Sequence, residues 1–177
     1  MIVLGIDPGT ATTGYGVVKA HPTDIEVLEY ELIETDKTWP QGFRLGEIYR
    51  QLDKLIQRVK PDVFAIERLF FATNAKTAMR VGQACGVMMM CAANNGLEPY
   101  EYAPGNIKKL LTGSGRADKK EVQRAVIEIL GPRVRVRAGK KTHFDNSADA
   151  LAIALTHIFN MTEYSSLKDY LMTNGKS

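Results

Sequence analysis

Apolar positions along the chain change rhythm several times, and each change marks an element. Ile2 to Ile6 is a short, almost continuous apolar run, the pattern of a strand buried on both faces. Gly14 to Lys19 and Ile25 to Glu34 read as two more strands, with His21-Pro22-Thr23-Asp24 turning between them. The third strand carries Ile25, Val27 and Glu29 on one side and Leu28, Tyr30 and Leu32 nearer the other, which predicts an exposed antiparallel strand. From Phe43 to Val59 the residues Leu45, Ile48, Tyr49, Leu52, Leu55, Ile56 and Val59 recur at helical spacing, and Pro61 ends that helix. Val63 to Ile66 is a fourth strand that stops at Glu67. A helix rich in Ala and Met follows from about Asn74 to Asn94, closed by Asn95-Gly96, and Leu97 to Tyr102 is a fifth strand.

Beyond it the pattern is helical. Pro104 opens a short helix to Leu111, Gly113-Ser114-Gly115 breaks it, and Asp118 N-caps another helix from Lys119 to Leu130. Arg133 to Lys141 reads as a basic loop. A last helix is expected to start near Asp145, carrying Ala148, Leu151, Ala152, Leu155 and Ile158, and the polar tail after Met161 is expected to be loose. The first three strands can form an antiparallel meander, with the fourth and fifth added in parallel by right-handed crossovers. The expected fold is α/β: a five-stranded mixed sheet flanked by helices in three layers, the element order of the RNase H-like architecture. One domain is expected over residues 1–160, with a tail over 161–177.

Composition narrows the class without naming a function. The chain has 177 residues, 45% apolar and 24% charged, as in an ordinary soluble domain. No apolar run approaches the roughly 20 residues that span a bilayer. Met1 leads directly into a strand-like run with no basic leader, so no signal peptide and a cytosolic location are expected. Cys85 and Cys91 fall six apart in one helix and are expected to be free thiols; no Cys/His spacing suits zinc.

Charge is more informative, because it is unevenly spread. Residues 105–141 hold eleven Lys/Arg against three Asp/Glu, whereas the rest of the chain holds twelve against seventeen. A basic segment beside an acidic remainder suggests a polyanion surface next to an acidic site, although charge runs are more often only solvated faces.

Three acids stand at element ends: Asp7 after the first strand, Glu67 after the fourth, and Asp149 in the first turns of the last helix, within Asp145-Asn146-Ser147-Ala148-Asp149. If the first and fourth strands are neighbours, Asp7 and Glu67 stand side by side at one sheet edge. A helix across that edge would bring Asp149 or Asp145 to the same point. Carboxylates so close repel one another, and a pair of hard divalent cations such as Mg²⁺ resolves the repulsion. Two such ions about 4 Å apart can activate water and stabilise the leaving oxygen of a phosphodiester. Singly, each acid has a plainer reading as a turn, surface or helix-start residue.

Local motifs add a family resemblance. Gly5-Ile6-Asp7-Pro8-Gly9-Thr10 and Gly14-Tyr15-Gly16 resemble the N-terminal signature of the RuvC family of Holliday-junction resolvases. Ala65-Ile66-Glu67 with Phe70, Asn74-Ala75 and Gly82-Gln83-Ala84-Cys85-Gly86 is similar to that family's second block. Tyr102-Ala103-Pro104, Lys108, Gly113-Ser114-Gly115 and Lys119 resemble its third, and Ser147 to Ala154 with Thr156-His157 its last. The four blocks occur in order over residues 1 to about 160.

The resemblance implies a homodimeric endonuclease that resolves four-way DNA junctions by paired symmetric nicks, dependent on Mg²⁺ (with Mn²⁺ able to substitute), two ions per site. It also implies a partnership with the RuvA-RuvB branch-migration complex. Asp7, Glu67 and Asp149 match three of the family's four acidic metal ligands. The fourth position falls on Asn146, which keeps a carbonyl oxygen but has lost the charge. Asp145 or His143 are the alternatives for making good that loss, with His143 expected to lie outside the helix. An engineered inactive variant, a natural substitution and a relaxed site all remain open.

Lys108 and Lys119 match basic positions near the scissile phosphate, where an ammonium can stabilise transition-state charge. Phe70 matches an aromatic that stacks on an unpaired base, with core packing the plainer reading for it or for Phe71. Asn74, Lys109, Arg116, Lys120, Arg137 and Lys140 are further candidates for DNA contact, with Arg124, Arg133, Arg135 and Lys141 extending the basic surface. The helix with Gly82, Ala84 and Gly86 beside Met88, Met89 and Met90 could pack against a second copy or into its own core. Two rivals stand beside the nuclease: a catalytically inactive junction-binding protein, suggested by Asn146, and an actin- or sugar-kinase-like ATPase, suggested by Asp7-Pro8-Gly9-Thr10 alone. The ATPase reading needs a second phosphate loop and a second large domain, for which the chain has no room.

Overall fold

The N-terminal apolar run becomes the central strand β1, Ile2–Asp7, with a neighbour on each side. It pairs antiparallel with β2, Thr12–His21, which pairs antiparallel with β3, Asp24–Glu34. On its other side β1 pairs parallel with β4, Val63–Glu67, and β4 pairs parallel with β5, Pro99–Tyr102, giving the order β3-β2-β1-β4-β5. The computed structural model describes residues 1–69, 75–131, 134, 141–164 and 166–174, and gives only the backbone of 141–146, 172 and 174. The five-stranded mixed sheet and its two parallel crossovers are those expected.

Strand parity sends alternate residues to opposite faces and so builds two cores. Leu4, Ile6, Val17, Phe64 and Ile66 pack against α1, Gln41–Val59, and α2, Ala75–Asn94, through Ile48, Leu52, Ile56, Cys85, Met88 and Cys91. Val3, Val18, Ala20 and Ala65 face the other way, onto α5, Lys141–Asn160, and the helices outside it: α3, Pro104–Thr112, α4, Lys119–Leu130, and α6, Leu167–Asn174. Both cysteines are buried free thiols, as expected. From Ala148 to Phe159 α5 is almost wholly buried, as befits a helix lying between the sheet and a second helical layer.

Main-chain contact sets the distance between α5 and the sheet. Gly5 on β1 and Gly16 on β2 are direct cross-strand partners, both on the α5 face. A Cβ at Gly5 would stand 2.2 Å from the Ala150 carbonyl oxygen and 2.8 Å from the Ala154 nitrogen; one at Gly16 would stand 2.8 Å from Leu151 Cδ2. Two adjacent glycines thus leave a flat seat on the sheet into which α5 settles. At its far end α5 is tied to β5, where the Tyr102 hydroxyl shares a 2.9 Å hydrogen bond with Nδ1 of His157. Burial holds the His157 pKa below its ordinary value, so this ring is neutral.

Three expectations need correction. On β3 the pairing passes from Val17–Glu29 to Val18–Val27, which leaves Leu28 as an extra, outward residue in a β-bulge. Tyr30 therefore returns to the face of Ile25 and Val27, and does not share a side with Leu28. The last helix starts at Lys141 rather than near Asp145, so the backbone of His143 is helical, and not outside the helix. Over its described residues the tail is not loose: Tyr164, Leu167 and Leu171 are buried against the α4 and α5 side of the core, and α6 puts Leu167 and Leu171 on one apolar face.

Candidate active site

Parity and register bring the first two acids together. Asp7 lies one step beyond the Ile6–Ile66 pairing, beside Glu67, and both belong to the parity that faces α5. Glu67 is held on its other side by pairing with Tyr102, and the next amide, Arg68 N–H, donates to the Tyr102 carbonyl at 2.8 Å. Asp149 comes down from α5, one residue before the Ala150 carbonyl that touches Gly5. The glycine seat therefore determines how near the third acid can come.

The turn after Asp7 is locally determined. Thr13 is buried; its hydroxyl donates to the Gly9 carbonyl at 2.8 Å and accepts from the Gly9 N–H at 3.4 Å. A Cβ on Gly9 would stand 2.1 Å from the Thr12 carbonyl oxygen. A strut then runs to α1: Thr35 donates to the Thr10 carbonyl at 2.6 Å, and the buried Arg44 donates to the Thr35 hydroxyl at 3.0 Å. Arg44 was not foreseeable, since in sequence it is one polar residue in an amphipathic helix.

Two lysines complete the cavity. A capping box fixes the first turn of α4: Asp118 accepts from the Glu121 N–H at 2.8 Å, and Glu121 accepts from the Asp118 N–H at 2.6 Å. Lys119 is the first helical residue, and its Nζ stands 2.7 Å from Asp149 Oδ2. Lys108 enters from α3. Glu67, Lys108, Lys119 and Asp149 line one cavity of about 270 Å³, walled by Pro104, Ile107, Val122, Ala152 and Ile153.

Electrostatics show a site with surplus negative charge. Burial pushes the Asp7 carboxyl up to about 7, the Asp149 and Glu67 charges push in the same direction, and Lys119 opposes them. Glu67 is also raised, by burial and then by Asp149, against the pull of Lys108 and Lys119. Among the described residues no group of three or more His, Cys, Asp or Glu side chains is already arranged to hold a metal ion. The donor chemistry nevertheless fits a hard divalent cation: carboxylate oxygens, partly buried, whose ionisation is resisted until positive charge arrives. The Lys119 ammonium supplies part of that charge at Asp149.

The other candidates divide. Lys109, Arg116 and Lys120 are exposed along α3, the following turn and the start of α4; Arg124 is exposed one turn further. Phe70, Phe71, Asn74, Arg133, Arg135, Arg137 and Lys140 lie outside the described residues, and the side chains of Lys141, His143, Asp145 and Asn146 do as well.

Comparison with known proteins gives one consistent likeness. The family model described as crossover junction endodeoxyribonuclease RuvC matches residues 3–157. A crossover junction endodeoxyribonuclease RuvC from Alkaliphilus oremlandii is 44% identical over 170 residues, covering 95% of this chain and 100% of the relative. The solved structure of Thermus thermophilus RuvC superposes with a TM-score of 0.77 at 34% identity, over 94% of this chain and 96% of that one. The same protein in complex with a Holliday junction substrate gives 0.78 at 36% identity, over 90% and 93%.

Proposed function

The chain belongs to the RuvC family of crossover junction endodeoxyribonucleases, and from that premise we propose that it resolves four-way DNA junctions by hydrolysing one phosphodiester in each of two opposed strands. The observation that carries the reading is a cavity lined by Glu67, Asp149, Lys108 and Lys119, with the buried Asp7 carboxyl close enough to feel the charges of Asp149, Glu67 and Lys119.

Asp7, Glu67 and Asp149 would hold the divalent ions, with the position of Asn146 as the fourth donor and Asp145 or His143 as alternatives on the same helix. Two Mg²⁺ ions, or Mn²⁺ in their place, would supply Lewis-acid stabilisation of the charge that builds on the phosphodiester. The residues of the chain do the rest. Lys108 brings an ammonium beside Glu67, where it stabilises the extra charge of the phosphorane-like transition state. Lys119 does the same from the start of α4, while balancing Asp149. Lys109, Arg116 and Lys120 bind backbone phosphates, which gives salt-dependent affinity and leaves base sequence unread. Phe70 and Asn74, just after Glu67 in the chain, and the basic Arg137 and Lys140 are assigned to the junction on sequence grounds.

Two opposed nicks require two sites related by symmetry, so the acting form is a homodimer. Met79, Gly86 and Met90 form an exposed, uncharged face of α2 that suits a second copy. A cytosolic location and coupling to the RuvA-RuvB branch-migration complex complete the reading. Asn146 favours one alternative, a junction binder that does not cut.

A synthetic four-way junction labelled on opposed strands tests this. Incubation with Mg²⁺ should yield paired, symmetric, ligatable nicks, and a linear duplex of the same sequence should stay intact. Equal cleavage of the duplex, or tight junction binding with no nick in either metal, would overturn the nuclease reading.

A further inference from the structure

The C-terminal helix α6 lies beyond residues 3–157, the span matched by the family model, and none of its described side chains lines the cavity. Its apolar stripe, Leu167 and Leu171, joins the core cluster that holds Ile107 and Leu111 of α3 together with Val122 and Val126 of α4. These are the two helices that present Lys108 and Lys119 to the cavity. α6 therefore packs against α4, the helix of Lys119, and reaches α3, the helix of Lys108, through the side chain of Lys168.

One polar contact gives the packing a direction. The ammonium of Lys168 donates to the carbonyl oxygen of Leu110 in the last turn of α3. Only the last carbonyls of a helix lack a partner within it, and in a helix of nine residues they are a large share of the whole. The neighbouring Lys109 carbonyl accepts from the Gly113 N–H at 2.9 Å, and the Lys108 carbonyl accepts from the Thr112 hydroxyl at 2.8 Å. Lys168 completes this set with a positive charge at the negative end of the helix dipole. Leu110 is two residues from Lys108, so a shift of that turn moves the Lys108 ammonium relative to Glu67.

We propose that Lys168 is a positioning residue for the cleavage reaction: it caps α3 from the C-terminal helix and thereby fixes where Lys108 stands over the acids. The proposal rests on the junction-nuclease reading above. Lys168 is not among the residues lining the cavity, so its effect would pass through α3, and a misplacement of about 1 Å at a reacting group costs up to roughly a hundredfold in rate.

Single-turnover cleavage of a four-way junction, run beside junction binding in Ca²⁺, gives the test. Lys168→Met keeps the stem and loses the charge. It should cut about tenfold more slowly at saturating junction, with the junction Kd unchanged within about twofold. Lys168→Arg should restore most of the rate, because a guanidinium can still donate to the Leu110 carbonyl. Circular dichroism and Tm check that each variant is folded at the assay temperature, and Leu171→Ala gives a comparison that loosens α6 without removing the cap. A wild-type rate in Lys168→Met would overturn the proposal. So would a slow rate not rescued by Arg, or rate losses that follow Tm equally in Lys168→Met and Leu171→Ala. Absence of cleavage by the wild-type chain would instead overturn the nuclease reading.

Discussion

Lys119 Nζ stands 2.7 Å from Asp149 Oδ2, so the acid contributed by α5 already has a cation beside it before any metal arrives. Asp7 and Glu67 are instead pushed toward the protonated form, by burial first and then by the Asp149 charge. The ammonium and an incoming divalent ion therefore compete for one carboxylate.

Removing that competitor separates metal binding from cutting. Lys119→Met should bind Mn²⁺ about three- to tenfold more tightly in the absence of DNA, measured by calorimetric titration. The same variant should cleave junctions about a hundredfold more slowly at saturating metal, since transition-state charge loses a donor. Unchanged metal affinity would show that the ion pair opens at no cost.

The elevated Asp7 pKa makes a stability prediction with a definite sign. The carboxyl ionises near 3.8 in its ordinary state and near 7 in the fold. Between these values the folded chain keeps a proton that the unfolded chain has released, so metal-free stability falls as pH rises through that window. The penalty is complete above about pH 7, and Glu67 adds to it in the same direction. In EDTA at pH 8, Asp7→Asn should be more stable than wild type by about 2 kcal/mol, roughly 4–8 °C in Tm for a domain of this size. The gap should close at pH 4. A Tm difference independent of pH would count against the buried, repelled carboxylate.

Gly5 is a small residue on which the spacing of the site depends. A methyl group there overlaps the Ala150 carbonyl at 2.2 Å, and neither main chain can yield cheaply. Gly5→Ala should lose about 2–4 kcal/mol by denaturant unfolding. At a temperature where it remains folded, its cleavage rate should fall more than tenfold, because α5 carries Asp149 away from Asp7. Wild-type cleavage in a folded Gly5→Ala protein would show that α5 can move without disturbing the acids.

Asn146→Asp tests the missing charge. An added carboxylate on α5 should lower the Mg²⁺ concentration for half-maximal cleavage by about tenfold. If Asp145 or His143 already serves that position, the metal requirement will not move.

Much of this was legible because it depends on short-range rules. Buried runs such as Ile2–Ile6 and Val63–Ile66 announce central strands, and the parity that puts Leu4 inward against α1 and α2 also sets Asp7 and Glu67 on one face. The early start of α5 was hidden because Lys141 to Phe144 has no apolar rhythm; its helicity comes from continuing the buried stretch that follows. α6 was hidden for a different reason. Leu167 and Leu171 stand among Tyr164, Tyr170 and Met172 in an otherwise polar stretch too short to show a clear rhythm, and their burial depends on α4, far earlier in the chain. Lys119 was visible as a site residue, but its pairing with Asp149 needed the capping box at Asp118 and the seating of α5 to be known together.

The Gly5–Gly16 seat also has a mechanical consequence. Side-chain contacts yield by rotamer changes, whereas a helix backbone resting on a strand backbone has no such compliance. The gap between α5 and β1 is thus set by main chain on both sides, and it is the one that spaces Asp149 from Asp7. Warming should loosen the outer helices and leave that spacing almost unchanged until the whole sheet gives way.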